Sequence, residues 1–183
     1  KGFMDLIKMM KILHQFDKEF CLDIYGDGEE RAALEDQIFE LDLKSVVRLQ
    51  GFQPPEIVSK AMSESGIYIM TSFEESFGLV LIEAMSHGLP VVAFNSARGA
   101  KEIVSQGGGI LISERNLMEM ARSVVSLTND QLNQFSQKAL SVAREYDYQV
   151  IKQQWLDFLR TVKRSKKCDK IIKVMIFARL SKK

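Results

Sequence analysis

Phe3, Leu6, Ile7, Met10, Leu13 and Phe16 recur at three- and four-residue spacings, which lays one apolar stripe along a helix and predicts that this helix packs on a sheet. A short apolar run at 20–25 follows, closed by the turn signal Gly26-Asp27-Gly28. Helical spacing returns at 31–41, and 46–49 reads as a second short strand. Pro54 and Pro55 open the next helix, because a first helical turn has no use for the N–H that proline lacks. The run Ile67-Tyr68-Ile69-Met70 is a third buried strand. Residues 77–85 are predicted as helix, 91–94 as strand, 100–104 as a short helix and 109–112 as a last strand, with three helical stretches completing the chain.

Short, continuously apolar strands that alternate with helices mark a parallel sheet, since strands buried on both faces need crossover helices above and below them. The expected class is α/β, a Rossmann-like parallel sheet with helices on both faces. In open sheets of this kind ligands bind beyond the carboxyl ends of the strands, so the loops after Tyr25, Leu49, Met70 and Phe94 are where function is expected.

Composition narrows the class. The 183 residues are 46% apolar and 27% charged, enough to bury one sizeable core. Lysine and arginine number 25 against 24 aspartates and glutamates, which excludes a chain disordered through low hydrophobicity and argues against a nucleic-acid-coating charge. The longest stretch without these four residue types, 84–97, contains Gly88 and Pro90 and is shorter than the roughly 20 residues of a spanning helix. Cys21 and Cys168 supply neither a disulfide framework nor the Cys/His cluster of a structural zinc site, so a reducing cytoplasm is the expected compartment and no metal is expected. The chain opens at Lys1 directly into a periodic helix, unlike a signal peptide, and reads as a fragment.

Chemistry concentrates in 71–92. A glycine at the start of the predicted helix lets a ligand approach the N–H groups of Gly78, Leu79 and Val80, which with the helix dipole form an anion site suited to phosphate. Around Glu83 stand Leu79, Val80, Leu81, Ile82, Ala84 and Met85, which predicts a buried helix in which a lone carboxylate must be paired or face a cleft. Glu83 lies four residues beyond Leu79, one face and about 6 Å along the axis, roughly the separation of a diphosphate from its ribose hydroxyls. Glu75 precedes the same turn. Two carboxylates flanking an anion site suit a diphosphate with a hydroxyl-rich group at each end. The plainer alternative is that Gly78 merely permits a tight turn, Glu74 and Glu75 favour the helix dipole, and Glu83 meets a buried lysine.

Glu75-Ser76-Phe77-Gly78 through Glu83, with seven residues between the two glutamates, followed by Gly88-Leu89-Pro90-Val91-Val92, resembles the E-x7-E signature of the retaining glycosyltransferase family four. Lys1-Gly2, Gly26-Asp27-Gly28, Gly51-Phe52, Thr71-Ser72, Glu102-Ile103-Val104 and 109–112 agree with that family in order and spacing. The resemblance implies the C-terminal, donor-binding half of a two-domain GT-B enzyme, with residues 1–164 as the nucleotide-sugar domain lacking its first strand and the N-terminal acceptor domain. It further implies that Gly78, Leu79 and Val80 present amides to the donor diphosphate and that Glu83 binds ribose hydroxyls. Glu75 would hold the transferred sugar and Lys1 would neutralise the leaving diphosphate. Phe52 and Gln53 would meet the nucleotide base, and Ser76 and Phe77 lie within the same donor site. The implied reaction is metal- and cofactor-free transfer, with retention, from a UDP- or GDP-sugar to a polysaccharide or glycolipid acceptor. The alternative is a non-catalytic nucleotide-sugar-binding module. The chain departs from the family at Arg98-Gly99-Ala100-Lys101, where a glycine pair and proline are common, and at Gly107-Gly108-Gly109.

Neither His14 nor His87 is expected to act as a base: His87 precedes Gly88 at a helix end, and His14 falls on the first helix. The methionines Met9, Met10, Met62, Met70 and Met85 read as core fillers. Residues 163–183 hold nine lysines and arginines against one acid, a local +8 that the overall +1 hides. The tail at 165–183 reads either as an interfacial helix at the anionic inner face of the plasma membrane or as a solvated final segment.

Overall fold

The computed structural model describes residues 2–113 and 115–164. The five strands among the described residues pair in parallel, as expected of the α/β class. β1 (Leu22–Tyr25) pairs with β2 (Val47–Gly51), and β3 (Tyr68–Met70), β4 (Val91–Phe94) and β5 (Gly109–Ile112) pair in that order. The expected single sheet is thus divided, because among the described residues no strand joins β1 to β3.

The helices are α1 (Phe3–Phe16), α2 (Arg31–Glu40), α3 (Pro55–Glu64), α4 (Leu79–Ser86), α5 (Arg98–Val104), α6 (Leu117–Val125), α7 (Asn129–Glu145) and α8 (Tyr148–Arg164). Helices of the first seven cover both faces of the strands, which the alternation along β4 makes plain. Val92 and Phe94 point into one cluster with Ile24, Val47 and Ile112 beneath α1 and α6, while Val91 and Ala93 point into the other with residues of α4, α5 and α7. The first cluster spans both strand groups, so the division of the sheet is bridged by a shared core. All four residues of β4 are buried, as a central parallel strand requires. Met9, Met10, Met62, Met70 and Met85 are all buried among apolar neighbours, as expected.

Boundaries shift where backbone pairing overrides the apolar pattern. The first strand begins at Leu22 because pairing with Val47 begins there, and β2 runs on to Gly51, which pairs with Tyr25 past an irregularity. The helix expected from 77 begins at Leu79, since Gly78 sits ahead of it at φ +88°. Among the described residues no helix is long and apolar enough to cross a membrane.

The chain forms two compact units, Lys1–Tyr146 and Asp147–Lys183. In the second, α8 is braced by Asp157, which accepts from Gln153 Nε2 at 2.9 Å and pairs with Arg160 at 3.1 Å. The basic tail at 165–183 lies outside the described residues.

Candidate functional site

Strand β3 ends at Met70 and the chain crosses to α4 through residues 71–78. Gly78 adopts the left-handed conformation at the helix start, and a Cβ there would stand 3.1 Å from Leu81 Cδ1 and 3.5 Å from Glu75 Cγ. Leu81 N–H donates to Gly78 O at 2.9 Å, so the amides of Gly78, Leu79 and Val80 lie ahead of the helical ladder, pointing along the dipole past the carboxyl end of β3. That is the arrangement expected of an anion site.

Glu83 corrects the reading made from the sequence. The apolar run around it predicted burial, yet Glu83 is exposed, because α4 is covered only on the side of Leu81, Ala84 and Met85. Leu79, 71% exposed, shares the open side with Glu83 four residues on. No desolvation penalty therefore forces Glu83 into a pair. The shared face of helix start and carboxylate remains, and it opens to solvent.

Glu75 is half-buried in a loop that α5 clamps. Gly99 N–H donates to Glu75 O at 2.8 Å. A Cβ on Gly99 would lie 2.6 Å from the Phe77 carbonyl and 2.9 Å from that of Glu75, so the helix approaches the loop as closely as backbone permits. This close approach leaves room for nothing larger than glycine at 99. The neighbouring Arg98 points outward and pairs with Glu102 at 3.3 Å. Ser76 and Phe77 are exposed, and the Phe77 ring meets the edge of Tyr146 at 5.9 Å, whose hydroxyl accepts from Gln106 Nε2 at 2.8 Å.

Tyr68 on β3 lies within the electrostatic reach of both glutamates. Burial, then the negative charges of Glu83 and of Glu75, push its hydroxyl up to about 12. Sequence reading passed over it as one more apolar strand position, although a phenol inside a buried strand is a signal that its oxygen needs a polar neighbour.

Gly2, just ahead of α1, reaches the same loop. Lys1 lies outside the described residues, but Gly2 is placed at φ +80°, with its carbonyl accepting from Thr71 Oγ1 at 2.8 Å. A Cβ on Gly2 would fall 2.1 Å from Thr71 O. Arg115, also missed in the sequence, donates to Thr71 O at 3.0 Å and to Ser72 O at 3.2 Å. It also forms an ion pair with Asp5 of α1.

Phe52 and Gln53 sit beyond the carboxyl end of β2, in the other strand pair. Phe52 is 83% exposed, and Gln53 Nε2 donates to Gln50 O at 2.8 Å, fixing the turn. His87 is the C-cap of α4, its ring held between Ser59 and Ser63 at 3.2 and 3.0 Å, a capping and packing role as expected. His14 lies on α1 with a buried Nδ1. Among the described residues no group of three or more His, Cys, Asp or Glu is placed to hold a metal.

Parallel strands, a glycine-led helix at the carboxyl end of β3 and two glutamates around it coincide with a family match over residues 1–145, to the family described as glycosyl transferases group 1. The chain belongs to that family. An uncharacterized glycosyltransferase of Haemophilus influenzae is 34% identical over 163 residues, which is 87% of this chain and 45% of that protein. The amylovoran biosynthesis glycosyltransferase AmsD of Erwinia amylovora is 31% identical over 160 residues, 87% of this chain and 44% of that protein. Among solved structures, Anabaena Alr3699/HepE in complex with UDP-glucose matches with a TM-score of 0.75 and 28% identity, covering 88% of this chain and 45% of that one. The chain spans less than half the length of each of these three proteins.

Proposed function

We propose that this chain is the donor-binding half of a retaining glycosyltransferase of family four, transferring a sugar from UDP to a polysaccharide or glycolipid acceptor. The observation that carries the reading is the glycine-led start of α4 beyond β3, with Glu83 on the open helix face and Glu75 in the clamped loop before it. The amides of Gly78, Leu79 and Val80 hold the diphosphate and Glu83 takes ribose hydroxyls. Glu75 holds the sugar, Phe52 and Gln53 meet the base, and Ser76 and Phe77 close the same site. Lys1 adds positive charge on the departing diphosphate. UDP is preferred over GDP on the strength of the UDP-glucose bound by the Anabaena protein.

In this reading no general base is required. The bond from the sugar C1 to the phosphate oxygen loosens first, amides and cation stabilise the leaving diphosphate, and the acceptor hydroxyl attacks on the same face. Its proton leaves on the departing phosphate oxygen as the new C1–O bond forms. No metal or cofactor is invoked.

Among the described residues β1 and β3 each keep an edge without a partner strand, which supports a further strand joining them in the full-length protein. The +8 segment at 163–183 supports contact with an anionic membrane surface. Saturation-transfer NMR on the full-length protein with UDP, UDP-glucose, GDP and GDP-mannose tests the donor site. Transfer to the UDP ligands is expected, and none to any nucleotide would overturn the reading.

A further inference from the structure

We propose that Arg115 is a positioning residue that locks the β3–α4 loop, and with it Glu75, to the first turn of α1, and so sets the rate of transfer without contacting the donor. The inference rests on the donor-site reading above for its effect on rate, but the lock itself stands on geometry alone.

Beyond Met70 the β3–β4 ladder has ended, yet Thr71 and Ser72 are still only 2% and 4% exposed. Their carbonyls need partners that water does not supply. Arg115, 44 and 43 residues away, donates to both, from Nη2 to Thr71 at 3.0 Å and from Nη1 to Ser72 at 3.2 Å. The guanidinium carbon lies over the Phe73 ring at 3.7 Å and over the Phe94 ring at 4.6 Å from their centroids, so the cation is packed against aromatic rings while its N–H groups make hydrogen bonds. Asp5 on α1 balances the charge in this half-buried place. One side chain thereby joins the end of β3, the aromatic at the start of the loop, strand β4 and the first turn of α1. Thr71 closes the circuit through its bond to Gly2.

The backbone of Arg115 reinforces the reading. Its φ of +54° is a conformation that L side chains avoid and that glycine would adopt freely. An arginine held there is over-determined by the contacts at its far end. Both Nη2 hydrogens and one on Nη1 are committed to Asp5, Thr71 and Ser72, three of the five donors a guanidinium carries, so the side chain is tied mainly to its own loop and helix. What it governs is the angle at which the loop leaves β3, and four residues further on that angle sets the place of Glu75.

The test uses the full-length protein with Arg115→Gly, Arg115→Lys and Asp5→Asn, read out by amide hydrogen exchange and by UDP-glucose kinetics. Glycine suits the backbone at 115 and removes every tether, so exchange at 73–78 should rise about ten-fold or more while α7 is unchanged. For the same variant kcat should fall about ten-fold or more with KM for UDP-glucose within about three-fold, and Arg115→Lys should recover part of kcat. Should Arg115→Gly fail to fold, Asp5→Asn is expected to show the same pattern in weaker form. Wild-type-like exchange at 73–78 in the folded variants would overturn the lock, as would a loosened loop with unchanged kcat. If the wild-type protein ignores UDP-glucose, the donor reading falls and the exchange data alone decide the lock.

Discussion

Gly99 and Glu75 meet backbone to backbone: the glycine N–H donates to the glutamate carbonyl at 2.8 Å, and a Cβ at 99 would stand 2.9 Å from that oxygen. α5 thus holds the loop that presents Glu75 by a contact no side chain could replace. Gly99→Ala should push the loop away, destabilising the fold by about 1–3 kcal/mol through overpacking. Because a displacement of the order of 1 Å at a positioned group costs about 10²-fold in rate, transfer should fall further than stability suggests. Urea denaturation alongside transfer kinetics checks both, and wild-type activity in Gly99→Ala would show that Glu75 tolerates the shift.

Tyr68 makes stability depend on pH in the alkaline range. Its hydroxyl titrates near 12 in the folded chain, against about 10 when unfolded, so the folded state binds the proton more tightly between those values. Stability from this source is complete below pH 10 and is lost as pH rises toward 12, by up to about 3 kcal/mol. Tyr68→Phe should flatten the difference in unfolding free energy between pH 9 and pH 11.5, relative to wild type, by a measurable part of that amount. Glu83→Gln should move the phenolate absorbance titration to lower pH, since the Glu83 charge is the second cause of the shift. An unmoved titration would mean that burial, with the charge of Glu75, holds the proton without help from Glu83.

Gly2 is fixed by the same loop from the opposite side. Gly2→Ala places a methyl 2.1 Å from Thr71 O at a backbone φ of +80°, so the start of α1 must move off the end of β3. The expected outcome is a loss of about 1–3 kcal/mol and, in the full-length protein, a drop in transfer. The melting temperature and the kinetics of Gly2→Ala measure the two effects separately.

How far the sequence carried the fold follows from where each constraint lies. α1, β4 and β5 come out with the bounds that the apolar pattern predicts, because burial of one stripe or of a whole strand is written in consecutive residues. The face of α4 was not legible in this way. Six apolar neighbours made Glu83 look buried, but an eight-residue helix lying over one layer leaves a side open, and which side depends on packing partners distant in sequence. Arg115 was invisible for a related reason: it reaches Asp5 across 110 positions, and its left-handed backbone has no signature in the residue itself. The place of Gly78, by contrast, was readable: a glycine between a strand end and an apolar run was expected at the helix start, and Gly78 is the N-cap of α4.

The two glutamates should separate cleanly in experiment. Glu83 is exposed and makes no stabilising pair by necessity, so Glu83→Gln should leave stability within about 0.5 kcal/mol of wild type. If it takes ribose hydroxyls, the same change should weaken UDP and UDP-glucose alike, by roughly 1.5–3 kcal/mol for hydrogen bonds to a charged group. Glu75 stands in the loop before the helix start, and in the proposed reading it holds the transferred sugar. Glu75→Gln should therefore leave UDP affinity nearly unchanged while lowering kcat, because holding the sugar matters most as the bond to phosphate breaks. Calorimetry with UDP, kinetics with UDP-glucose on the full-length enzyme and a melting curve for each variant measure these effects. Equal loss of UDP affinity in both variants would refute the division of labour between them. Unchanged UDP affinity in Glu83→Gln would leave the open face of α4 without its assigned ligand.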